Sequence, residues 1–253
     1  QLWIFYAKLP TIVLVCVSEL MIPRFLFVIL CFALWGLAPH QAVQAQEKPK
    51  ILAIGDSLMA WHRIDDKSIA DSIAASLGEP VLNRAISGAR IIYGLPLTGA
   101  MGLRISNQFR DRERYDWVII TGGGKDFMLG CGCARCDRRM NKMLTADAKQ
   151  GDIVSLIARI RQTGARVVYL RYLRSPDMDS PIESCKDEGD AFEARLAELA
   201  KRDKGVFFHS IADLVPSGDR SFHGLDMIHP SRKASKIIGQ QVAALIKRAD
   251  SGR

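Results

Sequence analysis

Ser57, Asp226 and His229 are the residues whose types and spacing can do chemistry together. Ser57 follows Gly55-Asp56 at the end of the apolar run Ile51-Leu52-Ala53-Ile54. Four apolar residues halted by a glycine, with an amphipathic segment beyond, describe a strand buried on both faces and leading toward a helix. The carboxyl ends of strands in an open α/β sheet form the edge where ligands bind, and a serine at a helix start keeps its own backbone N–H free for an anion. Gly-Asp-Ser alone is also ordinary helix-capping chemistry, so partners elsewhere must decide. Asp226-Met227-Ile228-His229 supplies them. A turn-like backbone over that spacing brings the carboxylate to one imidazole nitrogen while the other faces outward. The histidine then takes a serine proton as base, and the aspartate fixes its tautomer and stabilises the imidazolium.

The elements that position these residues alternate along the chain. Ile69, Ile73 and Leu77 form one helical face closed by Gly78, and Val81 to Ile86 reads as a second strand. Residues 94 to 110 carry a weak helical pattern broken by Gly94, Pro96, Gly99 and Gly102. Trp117 to Thr121 is a third buried strand running into Gly122-Gly123-Gly124-Lys125-Asp126, whose glycines permit a sharp turn and close approach to a ligand. Cys131 to Leu144 has no clear period and reads as an inserted loop. A helix on Ile153, Leu156, Ile157 and Ile160, a strand over 166–170, a polar loop containing Cys185, a helix on Phe192, Leu196 and Leu199, a strand over 206–209 and a last helix on Ile238, Val242 and Leu245 follow. Strands alternating with helices imply a mostly parallel sheet of about five strands covered on both faces. The Asp-x-x-His stretch follows the fifth strand, on the same edge as Ser57.

The chain has 253 residues, 48% hydrophobic and 25% charged, which is enough for one sizeable core. Its amino end reads differently. Met21 opens a second start with Arg24 as a basic region, an apolar run from Phe25 to Leu37, and Ala42-Val43-Gln44-Ala45 at the cleavage positions, the pattern of a secretory signal. Residues 1–20 look like an upstream extension. The expected organisation is therefore an extension and signal peptide over 1–45 and one catalytic domain over 46–253, exported to the periplasm or medium. The membrane is met only in transit through the signal. Removing 1–45 takes away Lys8, Arg24 and Glu19 and moves the formal charge from +8 to +7. No Lys/Arg block with interleaved aromatics marks a nucleic-acid groove.

Cys131, Cys133, Cys136 and Cys185 remain after the leader. In an oxidising compartment they favour two disulfides over a four-thiolate zinc site, since the spacing lacks paired Cys-x2-Cys. Cys131 and Cys133 are too close to pair easily, so Cys185 is expected to join one of the cluster while the other two pair locally. His62, His209 and His223 read as a solvated loop residue, a strand-end residue and an edge residue. No histidine has a metal-ligand partner at suitable spacing, and no metal or organic cofactor is needed.

Together these stretches resemble the GDSL esterase/lipases of the SGNH hydrolase superfamily. Gly55-Asp56-Ser57-Leu58 is similar to the nucleophile block, Asn83-Arg84-Ala85-Ile86-Ser87-Gly88 to the glycine block, Gly123-Gly124-Lys125-Asp126 to the third block and Asp226-Met227-Ile228-His229 to the closing block. The order matches across nearly the whole mature chain. The resemblance implies a flavodoxin-like three-layer α/β/α sandwich, a Ser57, His229 and Asp226 triad, and an oxyanion hole including the N–H groups of Ser57 and Gly88. The implied activity is that of a secreted serine esterase cleaving short acyl esters, on a small molecule or a glycan, through an acyl-enzyme. Lys125 stands where the family supplies an asparagine donor. It is read in three ways: as a cationic oxyanion donor, as a partner of Asp126 or a substrate anion, or as the mark of a degenerate site. A silent glycan-binding relative and an O-acyltransferase are the alternatives that Lys125 keeps open.

Overall fold

The computed structural model describes residues 49–252, so the expectations on residues 1–45 lie outside the described residues. Five strands form one sheet: β1 (Ile51–Ile54), β2 (Val81–Asn83), β3 (Trp117–Thr121), β4 (Arg166–Leu170) and β5 (Val206–His209). Their order is β2-β1-β3-β4-β5, and every pairing is parallel, with Ile51 opposite both Val81 and Trp117 and Val167 opposite Val206. All five carboxyl ends therefore face one edge.

Alternation along the strands builds the three layers. Leu52, Ile54, Val118, Ile120, Val167 and Tyr169 point to one face and pack with helices Asp137–Met143, Asp152–Gln162 and Lys186–Arg202 through Met140, Ile153, Ile160, Phe192 and Leu196. Ile51, Ala53, Ile119, Val168 and Leu170 point to the other, against helices Ile69–Leu77 and Arg232–Ser251 through Ile73, Ile238, Val242 and Ile246. A strand run without polar interruption is what burial on both faces requires. Local signals set the helix ends: Ser68 and Asp71 form a reciprocal capping box, and Gly78 closes that helix at φ 73°. Among the described residues no helix is long and apolar enough to cross a membrane.

Three sequence readings change. The second strand stops at Asn83 rather than Ile86, because the Asn83 side chain accepts from Ala85 N–H (3.1 Å) and donates to Met59 C=O (3.0 Å), turning the chain over the first block. Residues 94–110 are short helical pieces, Pro96–Thr98, Gly99–Leu103 and Ile105–Asn107, with Gly102 non-helical at φ 106°. The segment read as a cysteine-rich loop contains the helix Asp137–Met143, which buries only Met140 and Met143 and thus shows too little apolar period to be seen.

The cysteines pair as Cys131–Cys136, with Cα atoms 5.3 Å apart, and Cys133–Cys185, 4.8 Å apart. The second pair joins the loop after β3 to the segment after β4, and among the described residues no cluster of metal ligands competes for the thiols. Tryptic mapping without reductant is expected to recover the peptides of Cys131 and Cys133, of Cys136 and of Cys185 as one crosslinked species. Fragmentation between Cys131 and Cys133 should assign Cys185 to Cys133, and four free thiols would contradict this pairing.

Candidate active site

The nucleophile block is held at the end of β1 by buried polar contacts. Ser57 opens a four-residue helix, Ser57–Ala60, and Asp56 caps it by accepting from Leu58 N–H at 3.2 Å. Thr121 at the end of β3 donates its hydroxyl to Asp56 Oδ1 at 3.1 Å and accepts from Asp56 N–H at 3.3 Å. Gln108 grips the preceding residue from both sides, its Oε1 accepting from Gly55 N–H (2.7 Å) and its Nε2 donating to Gly55 C=O (2.9 Å) and Gly102 C=O (2.8 Å). Gly55 adopts φ 147°, and a Cβ there would collide with the Thr121 hydroxyl. Only glycine allows this approach. Ser57 is 5% exposed, in a helix first turn whose N–H groups have no intrahelical partner.

The closing block is a tight turn in front of the last helix. Asp226 Oδ1 accepts from the N–H groups of Ile228 and His229, both at 3.0 Å, which leaves Oδ2 to meet His229 Nδ1 at 2.5 Å. His229 Nε2 is shielded from solvent and has no hydrogen-bond partner within the protein. Burial opposes ionisation of Asp226, but the bonds from His229 and the two N–H groups outweigh it and hold the carboxyl down to about 2. The turn closes through Gly224 N–H to His229 C=O at 2.7 Å, with Met227 at φ 55°.

Two residues just after the first block reach this turn. Trp61 lies face to face on the His229 ring, with centroids 3.8 Å apart and planes 7° from parallel, while its backbone N–H donates to Ser57 C=O at 2.9 Å and closes the serine helix. One residue thus touches both the serine helix and the imidazole. His62, expected in solvent, pairs with Pro230 C=O at 3.1 Å. His223, expected at an edge, is buried beside Ser175 Oγ at 3.2 Å, and burial lowers its pKa. Ser175 donates to Ser180, which donates to Met227 C=O at 2.8 Å, so the loop after β4 supports the turn from behind. No spacing signal marks these residues, because they come from separate segments. His209 stands at the end of β5 beside Gln241, as read.

The other site candidates come to the same edge. Gly88 sits half-buried at φ 89° in the turn after β2. Lys125 is half-buried on the helix Gly124–Met128 after β3, and its charge reaches Asp56. The pairing of Lys125 with Asp126 does not occur. Asp126 is fully buried, points the other way and accepts from Ile91 and Ile92 N–H, each at 2.9 Å, so it ties the third block to the second. Lys125 makes no ion pair among the described residues.

The chain matches the GDSL-like lipase/acylhydrolase family over residues 53–237, from inside β1 into the last helix and through all four blocks. The chain belongs to this family. A search of curated proteins finds no match. Among solved structures the family member is similar to Est24, a carbohydrate acetylesterase from Sinorhizobium meliloti, at TM-score 0.55 and 17% identity over 79% of this chain and 99% of that one. It is similar to an aryl esterase from M. smegmatis at TM-score 0.55 and 16% identity, covering 80% and 100%. A carbohydrate esterase family 2 enzyme plus carbohydrate-binding domain from Corynascus thermopiles aligns at TM-score 0.54 and 18% identity, covering 81% of this chain and 67% of that one. These likenesses establish the SGNH hydrolase fold, a flavodoxin-like α/β/α sandwich.

Two buried carboxyls give the site a pH signature. Burial pushes Asp56 from the ordinary 3.8 up to about 6 despite the bonds from Thr121 and Leu58, and pushes Asp126 to about 6 against the Ile91 and Ile92 N–H groups. A raised folded pKa means the folded protein binds protons more tightly. The stability these groups contribute is therefore complete below 3.8 and is lost as the pH rises through about 6. Asp226 runs oppositely, its contribution being present above 3.8 and lost as the pH falls toward about 2. Asp56→Asn keeps the acceptor for Thr121 and Leu58 without a titrating proton. Urea unfolding across this range is expected to show a smaller loss of stability with rising pH in the variant, the remainder coming from Asp126. An unchanged curve would remove Asp56 from this account.

Proposed function

We propose that this family member is an exported serine esterase that transfers a short acyl group from an ester to water through an acyl-enzyme. The observation that carries the reading is the Asp226–His229 pair, fixed at Nδ1 and free at Nε2, joined through Trp61 to the helix that begins with Ser57. Ser57 Oγ attacks the ester carbonyl as its proton passes to His229 Nε2, and Asp226 holds the imidazole and balances the imidazolium. The N–H groups of Ser57 and Gly88 stabilise the oxyanion, and the Lys125 ammonium adds a positive charge where the family has an amide. His229 then returns the proton to the departing alcohol. Water repeats the sequence in the opposite sense and frees the acid. Trp61 restrains the ring and sets π density against it as it gains charge.

The substrate is a short acyl ester on a small molecule or a glycan. Similar folds carry the names carbohydrate acetylesterase and aryl esterase, which supports an ester, and disulfide-distance cysteines support an oxidising compartment outside the cytoplasm.

A fluorophosphonate probe is expected to label wild-type protein at Ser57 and to leave Ser57→Ala unlabelled. Hydrolysis of p-nitrophenyl acetate should fall by at least a thousandfold in Ser57→Ala with the melting curve intact, on the order of what loss of a triad member costs. A wild type that resists the probe and turns over no ester would leave a silent relative, whereas acyl transfer to added alcohols in preference to water would make it an acyltransferase. Lys125→Ala is expected to lower kcat about tenfold or more with little change in KM, since its contribution develops with the oxyanion. Unchanged kcat would place Lys125 outside the oxyanion hole.

A further inference from the structure

A second cationic centre lies beyond Lys125 on the same edge. The chain leaves the helix Gly124–Met128, passes Gly130 and Cys131, and enters the helix Asp137–Met143, and these segments with Ile92 enclose a cavity of about 340 Å³. Four cations line it: Arg135, Arg138, Arg139 and Lys142. Arg135, Arg138 and Lys142 are exposed and form no ion pair among the described residues. Arg139 is three-quarters covered, donates to Gly130 C=O at 3.4 Å, and keeps a buried Nε without a partner. Its nearest carboxylate, Asp126 at 3.8 Å, is already committed to Ile91 and Ile92 N–H.

Like charges four residues apart on a helix repel, and Arg138 and Lys142 have that spacing, while Arg135 adds a further charge from the bend just before the helix. The local packing does not spread them. Cys131–Cys136 closes the loop at the mouth and Cys133–Cys185 fastens it to the next segment, so the cations are gathered round a braced hollow. The larger groove beside the helices Ile69–Leu77 and Arg232–Ser251, about 760 Å³, makes the contrast: Arg232 is bonded to Asp65, Lys233 to Asp219, and Asp66 and Asp71 also line it. That groove neutralises itself. The smaller cavity leaves its positive charge for a ligand.

We propose that this cavity is a subsite for a carboxylate or phosphate on an acidic polysaccharide whose ester is presented to Ser57. Five residues of largely helical chain, roughly 8 Å, separate Lys125 from Gly130, the order of one or two sugar units. A polymer with a repeating anion could therefore seat one charge here while an acylated neighbour reaches the serine. The proposal deepens the esterase reading and names its substrate class, but the binding step can be measured without turnover.

The variant Arg135→Gln/Arg138→Gln/Lys142→Gln removes three exposed charges and leaves Arg139, which contacts Gly130, in place. In the full chain carrying Ser57→Ala, polygalacturonate is expected to bind with an affinity that falls steeply with salt, and dextran is expected not to bind. The triple variant should lose about tenfold of the polygalacturonate affinity and most of its salt dependence. Equal affinity of the triple variant and its parent, equal binding of dextran, or stronger binding to phosphatidylglycerol vesicles than to polygalacturonate would each overturn the proposal. In the Ser57-containing protein, p-nitrophenyl acetate hydrolysis should be the same with and without the three substitutions, while KM for an acetylated acidic polymer rises. Charge-dependent binding in a protein that hydrolyses no ester would sink the esterase reading and leave the anion subsite standing.

Discussion

The hydrogen bond from Thr121 to Asp56 joins the ends of the two central strands, and the geometry of the site depends on it. It lies where β1 and β3 both terminate, with Thr121 fully buried and Asp56 1% exposed. A hydrogen bond to an ionisable partner in such a place is worth roughly 1.5–3 kcal/mol, and leaving its acceptor unmade costs a similar amount. Gly55 can lie against Thr121 only because it lacks a Cβ, and Gln108 then satisfies both of its peptide groups. The serine helix starts from a point with little room to move.

The rest of the edge is assembled by the same means, one buried polar group at a time. Asp126 ties the third block to the turn that follows Gly88, and Arg84 pairs bidentately with Glu113 behind that turn, the guanidinium holding the Glu113 carboxyl down to about 2. The closing turn is clasped from the first block by Trp61 and His62 and from the loop after β4 by Ser180, which meets Met227, and Ser175, which meets His223. Each contact joins segments distant in sequence. Preorganisation of this kind holds dipoles and proton acceptors in place before a substrate arrives, which is how an active site avoids reorganising during reaction.

The cysteine segment stands outside the sheet, in the stretch that follows β3. Its two crosslinks and its short basic helix build a wall beside the carboxyl edge of the strands without entering the sheet. A wall made of cations suits recognition of a substrate's distant groups, where binding energy can be used to place the reacting bond.

Much of this protein was legible in one dimension. Apolar runs of four or five residues, glycine stops and helical spacing define the five strands and main helices, because burial on both faces of a parallel sheet leaves no room for polar interruptions. The contact between Asp226 and His229 was legible too, since Asp-x-x-His is a local turn whose carboxylate and imidazole meet through three residues of backbone. The helix Asp137–Met143 was not, as it buries two methionines on an otherwise charged surface. Nor were the roles of Trp61, Gln108, Thr121, Asp126 and His223, or the freedom of Lys125 from Asp126. Those depend on which side chains meet across the sheet's edge. Contacts between residues as much as 168 positions apart, as for His62 and Pro230, leave no period or spacing to read and exist only once the strands are in register.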